Sequence, residues 1–338
     1  MKTRLDIEQT DDLIDYLRHR GLFEKDEDCA AVVLRGGVSN KTVLVKGQTR
    51  SIVVKQALEK LRVATDWQAD PARIEREAIG LRLLEQLTPA GAITPFVFED
   101  APLFLLGMEA APDPHENWKT VLLRGEVADD AIRQFGALLG RIHFQGTKLD
   151  REALRSIEDR RFFEELRVNP YYLFTAGNNP DTTEFYARLI SDMKATSLTV
   201  VHGDFSPKNI LVCQGRLVLL DHEVIHLGDP TFDLGFALTH LLAKANHLFS
   251  SRELFLRAAV SFWQSYLGEA GLLATRKGFE SRACRHTLAC LLARIDGRSP
   301  LEYLTPEERA RQKRAVLELM RKPLNRLGDL IREFGSRL

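Results

Sequence analysis

Four cysteines (Cys29, Cys213, Cys284, Cys290) lie scattered through 338 residues, with no Cys-x-x-Cys and no Cys/His ligand spacing. That argues against a disulfide framework and a structural zinc site, and for reduced thiols in a cytoplasmic protein. No apolar run approaches the ~18 residues of a membrane span. The charged start, MKTRLDIEQTDD, stands where a signal peptide needs an apolar stretch. No membrane partner is therefore expected. A dominant charge is missing as well, since 47 Lys plus Arg balance 47 Asp plus Glu. A nucleic-acid binder usually carries a basic excess, so no nucleic-acid partner is expected, and no acidic surface built to collect polycations. Internal repeats and low-complexity tracts are also absent.

What is present is an ordinary apolar share, 44%, in a chain long enough for one large domain or two smaller ones. TDDLIDYLRHRG reads as a helix starting at Thr10 and stopped by Gly21. CAAVVLR, KTVLVK and RSIVVKQA follow as strands separated by the turns GGVSN and GQT. DPARIEREAIGLRLLEQL has Asp70 as N-cap, Pro71 at the first helical position and an apolar stripe through Ile74, Ala78, Leu81 and Leu84. AITPFVF and PLFLLGME complete an antiparallel sheet of about five strands with one helix. The Pro- and charge-rich stretch Ala111 to Asn117 marks the boundary between residues 1–111 and a mainly helical part, 112–338. ERARQKRAVLELMRK reads as the solvated face of an amphipathic helix.

One run interrupts the helical half: VVHGDFSPKNILVCQGRLVLLDHEV, residues 200–224. Gln214-Gly215 is a two-residue hairpin signal between the strands NILVC and RLVLLD. Residues flanking the open end of an antiparallel hairpin are near neighbours, so the Asp204–Asn209 loop is brought beside Asp221 and Glu223. Oxygen-rich clusters of this sort suit Mg²⁺, which usually arrives with phosphates.

HGDFSPKNIL followed by LLDHE resembles the catalytic and metal loops of the aminoglycoside phosphotransferase/choline kinase/methylthioribose kinase group, small-molecule kinases of protein-kinase-like, two-lobed α+β fold. The resemblance implies ATP and Mg²⁺ as cofactors and a small-molecule hydroxyl as acceptor. It makes Asp204 the group that accepts or orients the hydroxyl proton, Asn209 and Asp221 metal ligands, and Glu223 the second acid of an Asp-x-Glu motif. Asp221-His222-Glu223 stands where protein kinases have Asp-Phe-Gly, which disfavours a protein kinase. His202 reads as a brace of the loop, and Asp229 and Asp233 in GDPTFDLG as caps and anchors.

Alternation places Lys55 on one face of SIVVKQA with Val53. A lysine there needs a partner against desolvation, and Glu77 supplies it, with Glu75 as the fallback. The pair resembles the lysine–glutamate pair that positions nucleotide phosphates in kinase folds. RGGVSNKT, with Gly36, Gly37, Ser39 and Asn40, matches the phosphate-covering turn. LGMEAAPD fits the interlobe connector, where backbone groups at Met108, Glu109 and Ala110 pair with adenine.

VVKQALEKLRVATDWQADPARIEREA and FFEELRVNPYYLFTA resemble the methylthioribose kinase subgroup, so the first expected acceptor is a methylthioribose-like sugar. The sequence departs from that subgroup at Asn209, which follows the aminoglycoside-kinase pattern. It also lacks the subgroup's adjacent arginine pair in its last hundred residues. Arg282, Arg285, Arg294 and Asp296 are the candidate substrate residues. An aminoglycoside 3'-type phosphotransferase is the alternative, and a catalytically dead nucleotide-binding module is the third reading.

Overall fold

The computed structural model describes residues 5–34, 37, 39–62 and 68–338. Helix α1 (Thr10–His19) buries Leu13, Ile14 and Leu17. It starts at Thr10 as expected; Gln9 holds the cap position and makes no side-chain bond. Strands β1 (Ala30–Val33), β2 (Asn40–Lys46) and β3 (Ser51–Ala57) come next, then helix α2 (Arg73–Leu87), β4 (Phe96–Asp100) and β5 (Leu105–Glu109). They form one antiparallel five-stranded sheet in the order β1-β2-β3-β5-β4.

Alternation along the strands gives this sheet two different faces. Val43 and Val45 of β2, with Ile52 and Val54 of β3, pack beneath α1 in a small core of their own. The opposite face carries Lys55, opposite Thr42 and Leu106 in the register. Leu106 and Met108 of β5 join α2 in the main core. Helix α2 starts three residues after Asp70, because Asp70, Pro71 and Ala72 first make a tight turn in which the Asp70 Oδ1 accepts from the Ala72 N–H at 2.9 Å. Asp70 thus caps a turn leading into the helix.

After β5 the chain crosses to a three-stranded sheet, β6 (His115–Asn117), β8 (Ile210–Cys213) and β9 (Arg216–Leu219), ordered β6-β8-β9. The β8–β9 hairpin turns at Gln214 (φ 50°) and Gly215 (φ 80°), the left-handed pair that fits tightly twisted strands. Between them in sequence lie α3 (Trp118–Leu123), α4 (Asp129–Gly146), α5 (Arg151–Arg155) and α6 (Arg161–Phe163). Helix α6 runs on as a π-helical stretch, Glu164–Leu173, into α7 (Phe174–Asn178), α8 (Thr183–Lys194) and the short strand β7 (Thr199–Val201). β7 pairs with β10 (His226–Gly228) and brackets the loop that carries Asp204. Helices α9 (Thr231–His247), α10 (Arg252–Ala270), α11 (Phe279–Asp296), α12 (Pro306–Arg321) and α13 (Leu327–Gly335) complete the second lobe.

Helix α9 is buried from Thr231 to Asn246, so it is the central post of this lobe. The expected two-lobed α+β architecture is what the chain adopts. Among the described residues no helix is long and apolar enough to cross a membrane.

Candidate active site

Lys55 leaves β3 toward the space between the lobes. Its Nζ lies 2.5 Å from Glu77 Oε1 and 2.7 Å from Asp221 Oδ1. Glu77 is fully buried on α2, whereas Glu75, about 200° away around the helix, is exposed. That settles which glutamate meets the lysine. Burial opposes a charge on Lys55, but Asp221 and Glu77 outweigh it and hold the ammonium above its usual range. Burial likewise works against the Asp221 carboxylate, yet Lys55 and then Lys208 keep it well below the ordinary carboxylate value. Burial and the charge of Asp221 push Glu223 up. Asp221 also has a φ of 68°, a left-handed backbone that a non-glycine residue adopts at a cost.

Asp204 is held from several sides. Its Oδ2 accepts from Asn209 Nδ2 at 2.6 Å and lies 2.9 Å from Arg167 Nη2. Asn209 Nδ2 also reaches the Asp204 carbonyl at 3.0 Å, so its Oδ1 is the atom left for a cation. The Asp204 N–H donates to His202 Nδ1 at 3.2 Å, which requires that nitrogen to be unprotonated. His202 Nε2 then donates to His222 Nδ1 at 3.1 Å. Burial keeps both rings neutral. Asp233, in the first turn of α9, accepts the His202 and Gly203 N–H groups at 2.7 and 2.8 Å. Asp229 accepts from Thr231 N–H and hydroxyl. His202 is a brace, and the two aspartates are anchors.

Three cavities adjoin along the cleft. The first, about 430 Å³, is a mostly apolar slot walled by Leu44, Val53, Met108, Leu211 and Leu220 and rimmed by the 109–113 backbone. It shares Lys55 and Leu220 with a second of about 530 Å³, which holds Gly37, Ser39, Asn40, Asn209 and Asp221. That one shares Ser39, Lys208 and Asp221 with a third of about 280 Å³, where Asp204, Arg167 and Arg294 sit. An apolar slot, a polar middle and an acid-bearing end follow in that order.

Most of the expected residues converge here. Gly36 lies outside the described residues. Met108, Glu109 and Ala110 line the apolar slot, but the Glu109 N–H donates to Pro95 O and the Ala110 N–H to Ser51 O, each at 2.9 Å. Those two amides are therefore spent on the sheet. Glu223 stands on the wall of the third cavity with its Oε2 3.1 Å from Arg73 Nε. Among the described residues no three His, Cys, Asp or Glu side chains converge as a ready-made metal site. Asp221 and the Asn209 oxygen fit a Mg²⁺ that brings phosphate oxygens and waters of its own.

The substrate candidates divide. Arg294 lines the third cavity. Arg282 does not: it lies about 18 Å back along α11 and is paired with Asp229 at 2.8 Å. Arg285, about 14 Å back, is absent from the cleft walls. Asp296 is two residues past Arg294 and turned to the other side, where it accepts from Asn179 and pairs with Lys313. A helix of this pitch cannot present all four to one cavity.

Sequence reasoning missed Arg167, Arg73 and Lys208. Lys208 sits inside the motif itself, between Asp204 and Asn209. Arg73 is fully buried and ties Glu223 to the carbonyls of Leu58 and Ser39. Arg167 comes from the π-helical stretch; its Nε holds the Gly203 carbonyl at 2.9 Å while the guanidinium faces Asp204. This arginine positions the carboxylate. Arg167→Met is expected to lower kcat ~10–100-fold, the size seen when groups that orient a functional side chain are removed. The KM for ATP should stay within about threefold, and Arg167→Lys should restore part of kcat. Steady-state kinetics of the two variants check this; a loss confined to thermal stability would make Arg167 a packing residue.

Comparison with known proteins agrees with this geometry. Residues 31–276 match the model of the phosphotransferase enzyme family. The methylthioribose kinase of Pectobacterium carotovorum is 26% identical over 309 residues, covering 81% of this chain and 70% of that protein. That of Citrobacter koseri is 28% identical over 260 residues, 67% of this chain and 65% of its own. Among solved structures, an amicoumacin kinase in complex with AMP-PNP, Ca²⁺ and its ligand superposes with a TM-score of 0.58 at 17% identity, over 98% of each chain. A choline/ethanolamine kinase family protein from Mesorhizobium loti gives 0.56 at 14% identity, over 97% of this chain and 98% of that one. At such identities the two structures speak for the fold alone, while the family match spans most of the sequence: the chain belongs to the phosphotransferase enzyme family and is a small-molecule kinase.

Proposed function

We propose that the protein transfers the γ-phosphoryl group of Mg²⁺-bound ATP to a hydroxyl of a small, sugar-like alcohol. The observation that carries this is the row of contacts Glu77–Lys55–Asp221, within 2.5 and 2.7 Å, facing Asp204 across one continuous cleft. Residues 1–111 form the nucleotide lobe and 112–338 the catalytic and acceptor lobe. Adenine occupies the apolar slot, with the backbone just past Ala110 as its polar edge. The turn at Gly37, Ser39 and Asn40 covers the phosphates, and Lys55 grips them once they displace its contact with Asp221. Asp221 and the Asn209 oxygen would hold a Mg²⁺, which would supply charge neutralisation for the phosphate oxygens.

Asp204 aims the acceptor hydroxyl and takes its proton as the new O–P bond forms and the bond from Pγ to the ADP oxygen breaks. Four free cysteines fit a reducing cytoplasm, where ATP is also abundant.

The relatives favour a methylthioribose-like sugar as the first acceptor to test. An aminoglycoside is a poorer fit, because the third cavity is small and carries Arg167, Arg294, Lys119 and Lys208 on its wall. ADP release by the purified protein, with methylthioribose, free pentoses and kanamycin as acceptors, decides the matter. Mg²⁺-dependent turnover on a sugar alcohol is expected. Rapid turnover of kanamycin would replace the acceptor assignment, and Mg·ATP binding without turnover of any acceptor would leave the catalytically dead, nucleotide-binding reading.

A further inference from the structure

The charges around the third cavity do not balance once their partners are traced. Four acids stand on its wall, and each already has a cation of the protein. Asp204 lies 2.9 Å from Arg167, Asp221 2.7 Å from Lys55 and Glu223 3.1 Å from Arg73, and Glu302 pairs with Lys119. Two cations on the same wall, Lys208 and Arg294, have no acid within ion-pair distance among the described residues. Lys208 is exposed and also borders the middle cavity, where phosphates belong. Arg294 is different, being only 8% exposed.

A buried guanidinium usually faces a carboxylate. Arg294 hydrogen-bonds neutral groups only, and Glu302, whose carboxylate feels its charge, is paired with Lys119 instead. Its Nη1 donates to the Ser299 carbonyl at 2.7 Å and hydroxyl at 3.0 Å, and its Nη2 lies 3.2 Å from His240 Nε2. Its Nε–H has no partner among the described residues. The rings of Tyr171 and Phe236 lie 5.1 and 5.5 Å from its charge centre, which softens the deficit without cancelling it. The neighbouring amine supplies no anion either. Lys244 is fully buried, donates among the described residues to the His240 carbonyl at 3.3 Å and lies over the face of Tyr303, and burial pulls its pKa down to about 7. Burial, then the charges of Arg294 and Lys244, keep His240 neutral, so its Nε2 accepts from Arg294 and offers no compensation.

We propose that the acceptor alcohol carries an anionic group, a carboxylate or phosphate, and that Arg294 is the residue that recognises it. This rests on the phosphotransfer reading and replaces its neutral, methylthioribose-like acceptor with an anionic one. Arg294 and Asp204 line the same cavity of about 280 Å³, so one small molecule spans both, its hydroxyl at Asp204 and its anion at Arg294. The class is a small polyhydroxy acid or sugar phosphate. A neutral sugar leaves Arg294 without its counter-ion, and a polycation adds to the excess.

Matched acceptors test this: glycerol against D-glycerate, D-ribose against D-ribonate and ribose 5-phosphate, D-glucose against D-gluconate, with choline and kanamycin as cations. ADP release is followed in wild type and in Arg294→Gln and Arg294→Lys. The anionic member of a pair should have kcat/KM at least about tenfold above its neutral partner. Arg294→Gln should raise KM for the acid roughly 30-fold or more and for the neutral partner far less, so that the preference collapses, and Arg294→Lys should recover part of it.

Calorimetry of malonate and inorganic phosphate binding to the Mg·ADP complex runs alongside. Equal or better use of neutral or cationic partners overturns the anion assignment and leaves phosphotransfer standing. So does anion binding that ignores the Arg294→Gln change, even where no acceptor of the panel is turned over. Failure of Mg·ATP itself to bind overturns both.

Discussion

Asp204→Asn is expected to lower kcat by ~10²–10⁴-fold, the range that a positioned general base contributes, with Mg·ATP affinity within a few-fold of wild type. The two readouts separate because Asp204 lies in the end cavity, whereas the apolar slot proposed for adenine and the Lys55–Glu77 pair lie beyond Asp221. Asparagine is the right replacement. It keeps an acceptor oxygen against the buried Arg167, whereas alanine would strand that guanidinium, a loss of about 3–5 kcal/mol of stability. Single-turnover kinetics with saturating acceptor and a nucleotide-binding titration give the two numbers. Turnover near wild type would remove Asp204 from the chemistry.

Asp221→Ala is expected to have an effect at least as large, with a different signature. Charge stabilisation by a bound metal is worth several kcal/mol in the transition state. Losing about 4 kcal/mol of it lowers the rate roughly 10³-fold. Removing the carboxylate takes away the proposed metal ligand and the inter-lobe partner of Lys55, so nucleotide should bind weakly and with little dependence on Mg²⁺. Lys55 keeps Glu77 at 2.5 Å, so the fold itself should survive. Activity as a function of Mg²⁺ concentration checks this. Recovery at ordinary Mg²⁺ would move the metal to other residues, whereas a flat and very low response identifies Asp221 as the ligand.

How much of this could be read from residues alone depended on how local each contact is. The hairpin around Gln214-Gly215 fixes the positions of Asn209 and Asp221 within a short stretch of chain, so their convergence was legible. Lys55 and Glu77 were legible because a period-2 strand and a period-3.6 helix each leave few choices of face. The acceptor side was not. Arg282, Arg285, Arg294 and Asp296 all sit on α11, and only packing against α9 and α12 decides which of them faces the cavity. Arg167 was invisible for another reason. It lies in a π-helical stretch of ten residues, whose wider turn breaks the 3.6-residue phase on which facing arguments depend. The first helix starts at Thr10 as read, whereas the expected cap Asp70 fell three residues before the observed start of α2, as termini often do.

Helix α2 is fastened to the loop of Asp221 by more than the lysine bridge. Arg73, fully buried in its first turn, is joined to Glu223, and a side chain added at Gly80 would come within 2.6 Å of the His222 Cβ. Swinging this helix outward, the motion by which many signalling kinases are silenced, would here mean prising apart a dry ion pair and opening a void. On this geometry helix α2 and the Asp221 loop would have to move as one body.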